Sequence, residues 1–256
     1  MRKSALLVVI ILVLALAFSM GTTTALAKGQ AKGKGKIVFV HYRGGNPIAS
    51  NLAANKASLT GDQVGDYKYT GIHWPSTAFP VHYTIDPANP NGLVAETVQA
   101  TVDASFATWE DADAGGNVVV DFMGDGFASV LVNPLNTSDG NNTICWRPLS
   151  SSYPGAIGIT VTWYHYAGKR DKIIDECDTI LNSDYPWSIN IPGTTGFASF
   201  DVQNIMTHEL GHWLLLGDLY SKRDSELTMY GYGSTGETKK DTLGRGDVLG
   251  INAIYP

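Results

Sequence analysis

Residues 207–220, THELGHWLLLGDLY, constrain this chain more than any other stretch. His208 and His212 stand four apart, with Glu209 beside the first. On a helix that spacing puts both imidazoles on one face, one turn apart, so they can converge on one metal ion. A carboxylate next to the first ligand is placed to touch a water on that metal. Zinc lowers the pKa of such a water toward ~7, and the carboxylate can take its proton as it attacks a carbonyl. A catalytic zinc needs three protein ligands and one open position. The fold must therefore supply a third donor.

The six histidines are at 41, 73, 82, 165, 208 and 212, so none lies downstream of His212. Asp218 is the nearest carboxylate. In a straight helix residue 218 would lie about 9 Å beyond His212 and about 240° round the axis, out of reach of a shared metal. The helix has to end and the chain double back. Gly217 is the residue that turns most easily.

The rest of the chain supplies elements that could carry such a site. Residues 37–41 (IVFVH) read as a short strand, and 81–85 (VHYTI) alternate with the period of a strand. A turn cluster at 86–92 precedes a helical pattern over 93–113, in which Val94, Val98, Val102, Phe106 and Trp109 form one apolar face. Gly115 and Gly116 stop it. Further strands are expected at 118–122, 143–146, 157–164 and 173–181. Asp201 is placed to cap a helix that carries Val202, Ile205 and Met206 into the histidine motif. A final helix is expected over 246–254, and there is no internal repeat.

The N-terminus reads as an export signal. Arg2 and Lys3 precede an apolar run over residues 5–18 that closes on Ala25-Leu26-Ala27. Cleavage after Ala27 is expected, giving a secreted protein. The alternative is an uncleaved membrane tether, although the run is shorter than the roughly 20 residues of a bilayer span. Without residues 1–27 the chain has 16 basic and 24 acidic residues, a net of −8, which argues against a nucleic-acid partner. Residues 28–36 (KGQAKGKGK) hold no core-forming side chain, and 28–67 as a whole read as a flexible lead-in to one domain over 68–256. Cys145 and Cys177 are the two cysteines. Outside the cell such a pair favours a disulfide, which would contribute roughly 3–4 kcal/mol; two buried free thiols are the alternative. Asn136 and Asn141 begin glycosylation sequons.

The motif HELGHWLLLGDLY resembles the metzincin signature HExxHxxGxxH/D, in its form with Asp as third ligand. Leu227-Thr228-Met229-Tyr230 resembles the Met-turn of that clan, and residues 241–256 resemble the C-terminal helix of matrixin-type metalloproteases. Upstream, 80–86 with the helix ending FATWE at 106–110 resemble the first strand and first helix. Residues 154–160 (PGAIGIT) resemble the edge strand, and 175–182 the strand beside it. The likeness covers roughly residues 68–256.

This resemblance implies an α+β/α/β catalytic domain: a twisted, five-stranded mixed sheet with one antiparallel edge strand and two long helices. A small C-terminal part after Gly217 would hold the Met-turn and last helix. It implies one catalytic zinc on His208, His212 and Asp218, Glu209 as the base, and Met229 as a structural floor. An extended protein or peptide substrate would add to the edge at Gly158, Ile159 and Thr160. Tyr230 and Tyr232 would wall the pocket for the residue after the scissile bond, or else be surface aromatics. The implied function is a secreted zinc metalloendopeptidase. The alternatives are a non-catalytic extracellular binding module with a degenerate zinc site, and a hydrolase trimming short peptides.

Two departures bear on this. Leu215 stands where the family has Gly, and Leu in a left-handed conformation costs roughly 1–2 kcal/mol. Either Leu215 stays helical and Gly217 turns, or the bend is strained, or Asp218 does not bind and Glu226 is the fallback ligand. No cysteine precedes Cys145, so the propeptide cysteine latch of animal matrixins is absent, and 28–67 is shorter than the usual prodomain. The alternatives are an enzyme made in active form or one held by a proteinaceous inhibitor. His41, His73, His82 and His165 are expected to be structural, His165 because it lacks the partner set of the matrixin structural zinc. Asp175, Glu176, Asp178 and Asp184 could hold a calcium ion or form a charged strand face.

Overall fold

Strand β2 (Val81–Ile85) shows the alternation its sequence predicts: Val81, Tyr83 and Ile85 point inward and His82 outward. It belongs to a seven-stranded mixed sheet in the computed structural model, which describes residues 33–44, 65–112, 120–169, 171–189 and 198–256. The other strands of this sheet are β1 (Lys34–Arg43), β3 (Phe122–Phe127), β4 (Thr143–Arg147), β5 (Ala156–Tyr166), β6 (Lys172–Asn182) and β9 (Tyr232–Gly233), in the order β3-β2-β4-β6-β5-β1-β9. Strands β2, β3, β4 and β6 run parallel, and β5 runs antiparallel to β6. Two short strands, β7 (Trp187–Ser188) and β8 (Phe200–Asp201), pair separately. The expected signal segment, residues 1–27, and the Gly115-Gly116 stop lie outside the described residues.

Helix α1 (Ala95–Glu110) buries Val98, Val102, Phe106 and Trp109. Val94, expected on that face, is 62% exposed because the helix begins one residue later. Helix α2 (Val202–Trp213) packs against α1, and the indole of Trp109 donates to the Thr207 carbonyl at 2.8 Å. Helix α3 (Arg245–Ile254) closes the chain. No helix among the described residues is long and apolar enough to cross a membrane.

The sheet differs from the five strands expected because β1 and β9 extend it past β5. The strand expected at 37–41 is present and runs longer, over Lys34–Arg43, within the lead-in. Strand β5 is thus no edge. Its side chains alternate between two faces, with Gly158 and Thr160 toward Glu209 and Ile159 and Val161 in a second cluster, while a register shift at Ile157 turns that residue to the helix-side core. That alternation also separates the thiols. Cys145 sits opposite Ile180 in the second cluster, whereas Cys177, three residues from Ile180 on β6, faces the helix-side core beside Thr162. An odd offset along a strand puts side chains on opposite faces. The expected disulfide is corrected: both cysteines are buried free thiols.

Glu176 and Asp178 point the same way on β6, and both are buried. Glu176 accepts from the Ser138 hydroxyl at 2.8 Å, and Asp178 from the Thr143 amide and hydroxyl at 3.1 and 2.6 Å. Burial, with the Glu176 carboxylate beside it, raises the Asp178 pKa well above the ordinary carboxylate range. Between the unfolded value of about 3.9 and the raised one, the folded state holds an extra proton, so stability falls as pH rises through that window. Asp178→Asn keeps an acceptor for Thr143 and removes the titration. Its melting temperature is expected to gain on the wild type from pH 5 to pH 8. A constant gap between the two would rule this out.

Candidate metal centre

Asp201 caps α2 as expected, accepting from the Asn204 amide at 2.7 Å. One turn apart on this helix, His208 and His212 are fully buried. Each ring is oriented from behind: Nδ1 of His208 lies 2.6 Å from the Thr228 carbonyl, and Nδ1 of His212 lies 2.7 Å from the Leu216 carbonyl. A carbonyl only accepts, so each Nδ1 carries the proton and each Nε2 turns a lone pair inward.

Asp218 meets them there. Its Oδ1 lies 3.2 Å from His208 Nε2 and 3.5 Å from His212 Nε2. None of these three buried atoms has a hydrogen-bond partner. Donors so close repel one another unless a positive charge, a metal ion or a proton on one imidazole, lies between them. Donors about 2.0–2.1 Å from a tetrahedral zinc would be about 3.3 Å apart, so the spacing suits that ion. The electrostatics are tightly coupled. Burial and then Lys240 push His208 down to about 3. Burial opposes ionisation of Asp218, but His212 and His208 outweigh it and hold the carboxyl well below its usual range. His212 is raised: burial pulls it down, and the Asp218 carboxylate more than offsets that.

The bend that brings Asp218 round falls on Leu215, not on Gly217. Leu215 has φ 63°, in the left-handed region. The Leu216 amide donates to Gly211 O and the Leu215 amide to His212 O, both at 3.0 Å. These are the two bonds of a Schellman C-cap, with leucine in the position usually held by glycine. Gly217 instead packs on another segment, its amide donating to Lys68 O at 2.9 Å. The strain of roughly 1–2 kcal/mol is outweighed because the Leu215 side chain is fully buried. Leu215→Gly would relieve that strain and delete a core side chain that typically contributes about 2–5 kcal/mol. The expected result is a net loss of roughly 2 kcal/mol in denaturant unfolding with metal binding retained. A stabilised variant would show that the strain dominates.

Met229 lies against α2 at Gly211. A Cβ at Gly211 would fall 2.2 Å from its sulfur and 2.8 Å from Trp109, so the fourth residue of HELGH has to be glycine. Asp247 on α3 accepts from the Thr228 and Met229 amides at 2.8 and 3.1 Å, which fixes the carbonyl that orients His208. Glu209 is buried beside the donors, and burial pushes it up to about 7. Its Oε2 accepts from the Thr160 hydroxyl at 2.7 Å. A Cβ at Gly158 would come 2.6 Å from its Oε1. Gly158 and Thr160, expected as an open substrate edge, therefore face the acid, and Ile159 faces away into the second cluster.

The expectation of a free edge is corrected. Strand β1 pairs antiparallel with β5, placing Phe39 opposite Thr160, Val40 opposite Ile159 and His41 opposite Gly158. Its end runs parallel to β9, with Tyr42 opposite Tyr232. The Phe39 ring stacks on His212 at 4.2 Å and His41 on His208 at 3.8 Å. Tyr230 and Tyr232 contribute main-chain carbonyls to the buried Lys240, whose ammonium donates to them at 2.5 and 3.0 Å and to His41 Nε2 at 2.9 Å. Burial lowers Lys240 to about 8. His41, expected as one structural histidine among several, and Lys240, which no motif marks, were the main omissions of the sequence reading.

Other candidates disperse. Glu226 is half exposed and pairs with Lys239 at 3.3 Å, away from the histidines. His82 pairs with Asp125, and His165 with Asp175. Asp184 accepts from the Ser150 amide, so the four carboxylates considered for calcium do not converge. Among the described residues, groups able to hold a metal are His208, His212 and Asp218, and an overlapping set of His41, His208 and Glu209. The second set is the poorer one, since Lys240 donates to His41. No protein-family model matches the sequence, and no curated protein matches it significantly.

Proposed function

We propose that this chain is a zinc-dependent endopeptidase of the metzincin type, hydrolysing extended polypeptides outside the cell. The observation that carries the reading is the convergence of three unpartnered donor atoms, from His208, His212 and Asp218, beside a buried acid. A zinc ion held there would supply Lewis acidity to the scissile carbonyl and to a water. Glu209, buried beside those donors, is placed to take a proton from the attacking water and give it to the leaving amine. Thr160 is a positioning residue that fixes one Glu209 oxygen. Strand β5 would pair with the main chain of the substrate along the positions β1 now takes. Residues 1–27 keep their reading as the export signal.

A non-catalytic binding module is the second reading, and the covered site favours it. An acid kept beside the donors and held there by the Thr160 hydroxyl supports the catalytic reading, since a scaffold needs neither. Elemental analysis tests the metal. About one zinc per chain is expected, and chelation is expected to lower the melting temperature, because a ligand present at about 1,000 times its Kd adds about 4 kcal/mol. A folded protein with no zinc, and no response to chelator, would sink the proposal.

A further inference from the structure

Strand β1 is held as a guest would be. It lies between two strands and is bonded by its main chain on both sides: Arg43 N donates to Gly155 O at 2.8 Å, Tyr42 N to Gly231 O at 3.1 Å and Gly44 N to Gly233 O at 2.8 Å. Main-chain pairing is indifferent to sequence, so another extended peptide can take the same slot. The side chains alternate. Val38 and Val40 pack on the second cluster, whereas Phe39 and His41 face the metal ligands.

His41 fills a closed pocket made by His208, Glu209, Ile157, Gly233 and Lys240. The Lys240 ammonium spends two protons on the Tyr230 and Tyr232 carbonyls and offers the third to the occupant. An ammonium only donates, so His41 Nε2 accepts and its Nδ1 carries the proton, 3.8 Å from Glu209 Oε1. An apolar occupant would leave a buried ammonium proton unpaired, and a carboxylate would sit against Glu209. The Lys240 end of the pocket thus calls for a neutral acceptor, which an imidazole or a carboxamide supplies; at the other end His41 Nδ1 and Glu209 Oε1 form no hydrogen bond.

We propose that β1 is a pseudosubstrate seated in the peptide slot, and that Lys240 makes the pocket under His41 selective for histidine, glutamine or asparagine side chains. This rests on the endopeptidase reading for its meaning, but its test is binding. The probe is a fluorescent peptide of sequence KGKIVFVHYR, titrated by anisotropy into the zinc-loaded full chain. The comparison variants are Phe39→Pro, which removes an amide on the β5 side of the ladder, and His41→Ala, which removes the anchor and leaves the main chain intact should the proline prevent folding. At least one folded variant is expected to bind the probe about tenfold or more tighter than the wild type. A glutamine at the histidine position of the peptide should bind comparably and a leucine about tenfold weaker. Adding Lys240→Met should erase that difference. Equal binding by wild type and folded variants, or binding by none, overturns the pseudosubstrate. Equal binding of the histidine and leucine peptides overturns the role of Lys240. Protein cleavage measured on the same samples reports separately. Tight binding without cleavage would refute the endopeptidase and leave a peptide-binding slot.

Discussion

Asp218→Ala is expected to reduce zinc from about one ion per chain to a small fraction of that, with affinity falling at least about 100-fold, the upper end of what losing even an outer-shell partner costs. The carboxylate supplies one of three donors, and the only negative charge among them. Without it, two neutral imidazoles remain in a fully buried site next to Lys240, whose ammonium lowers the His208 pKa and would repel a cation equally. The protein should still fold, because Leu215 and Leu216 make the bend through their own main-chain bonds. Zinc measured after dialysis against a weak chelator, with near-ultraviolet circular dichroism to confirm folding, checks this. Full zinc retention in Asp218→Ala would show that the third ligand lies elsewhere.

The second large effect concerns Glu209. Glu209→Gln keeps the shape and an acceptor for Thr160, and removes the base. General acid–base catalysis typically contributes 10²–10⁴-fold, so kcat/KM on an unfolded protein substrate should fall by about 10³-fold with zinc content unchanged. The comparison belongs in a background where β1 is loosened, such as Phe39→Pro or His41→Ala, so that access is not limiting. Retained cleavage in Glu209→Gln would remove it from the mechanism. Absence of cleavage in every zinc-loaded background would favour the binding-module reading.

Much of the site was legible because its spacing is local. Four residues on a helix place His208 and His212 together whatever surrounds them. Asp201 caps that helix through a bond to the third residue beyond it. The strands at 81–85, 143–147, 156–166 and 172–182 follow from period-two patterning and continuous apolar runs. The limits of local reasoning show at single residues. Val94 has the right period but falls before the helix starts. Cys145 and Cys177 look like a pair until the register puts them on opposite faces.

What the sequence determined alone, then, was the helix that carries two histidines and an acid, and the need for a chain reversal before Asp218. The tertiary structure decided where the reversal falls and what covers the result. Conformational preference points to Gly217, yet burial of Leu215 outweighs its strain. The guest strand and its pocket depend on His41 meeting Lys240 across 199 residues of chain. Periodicity reports neighbours within a turn or a pleat. Contacts of that span are set by packing, which no local pattern records.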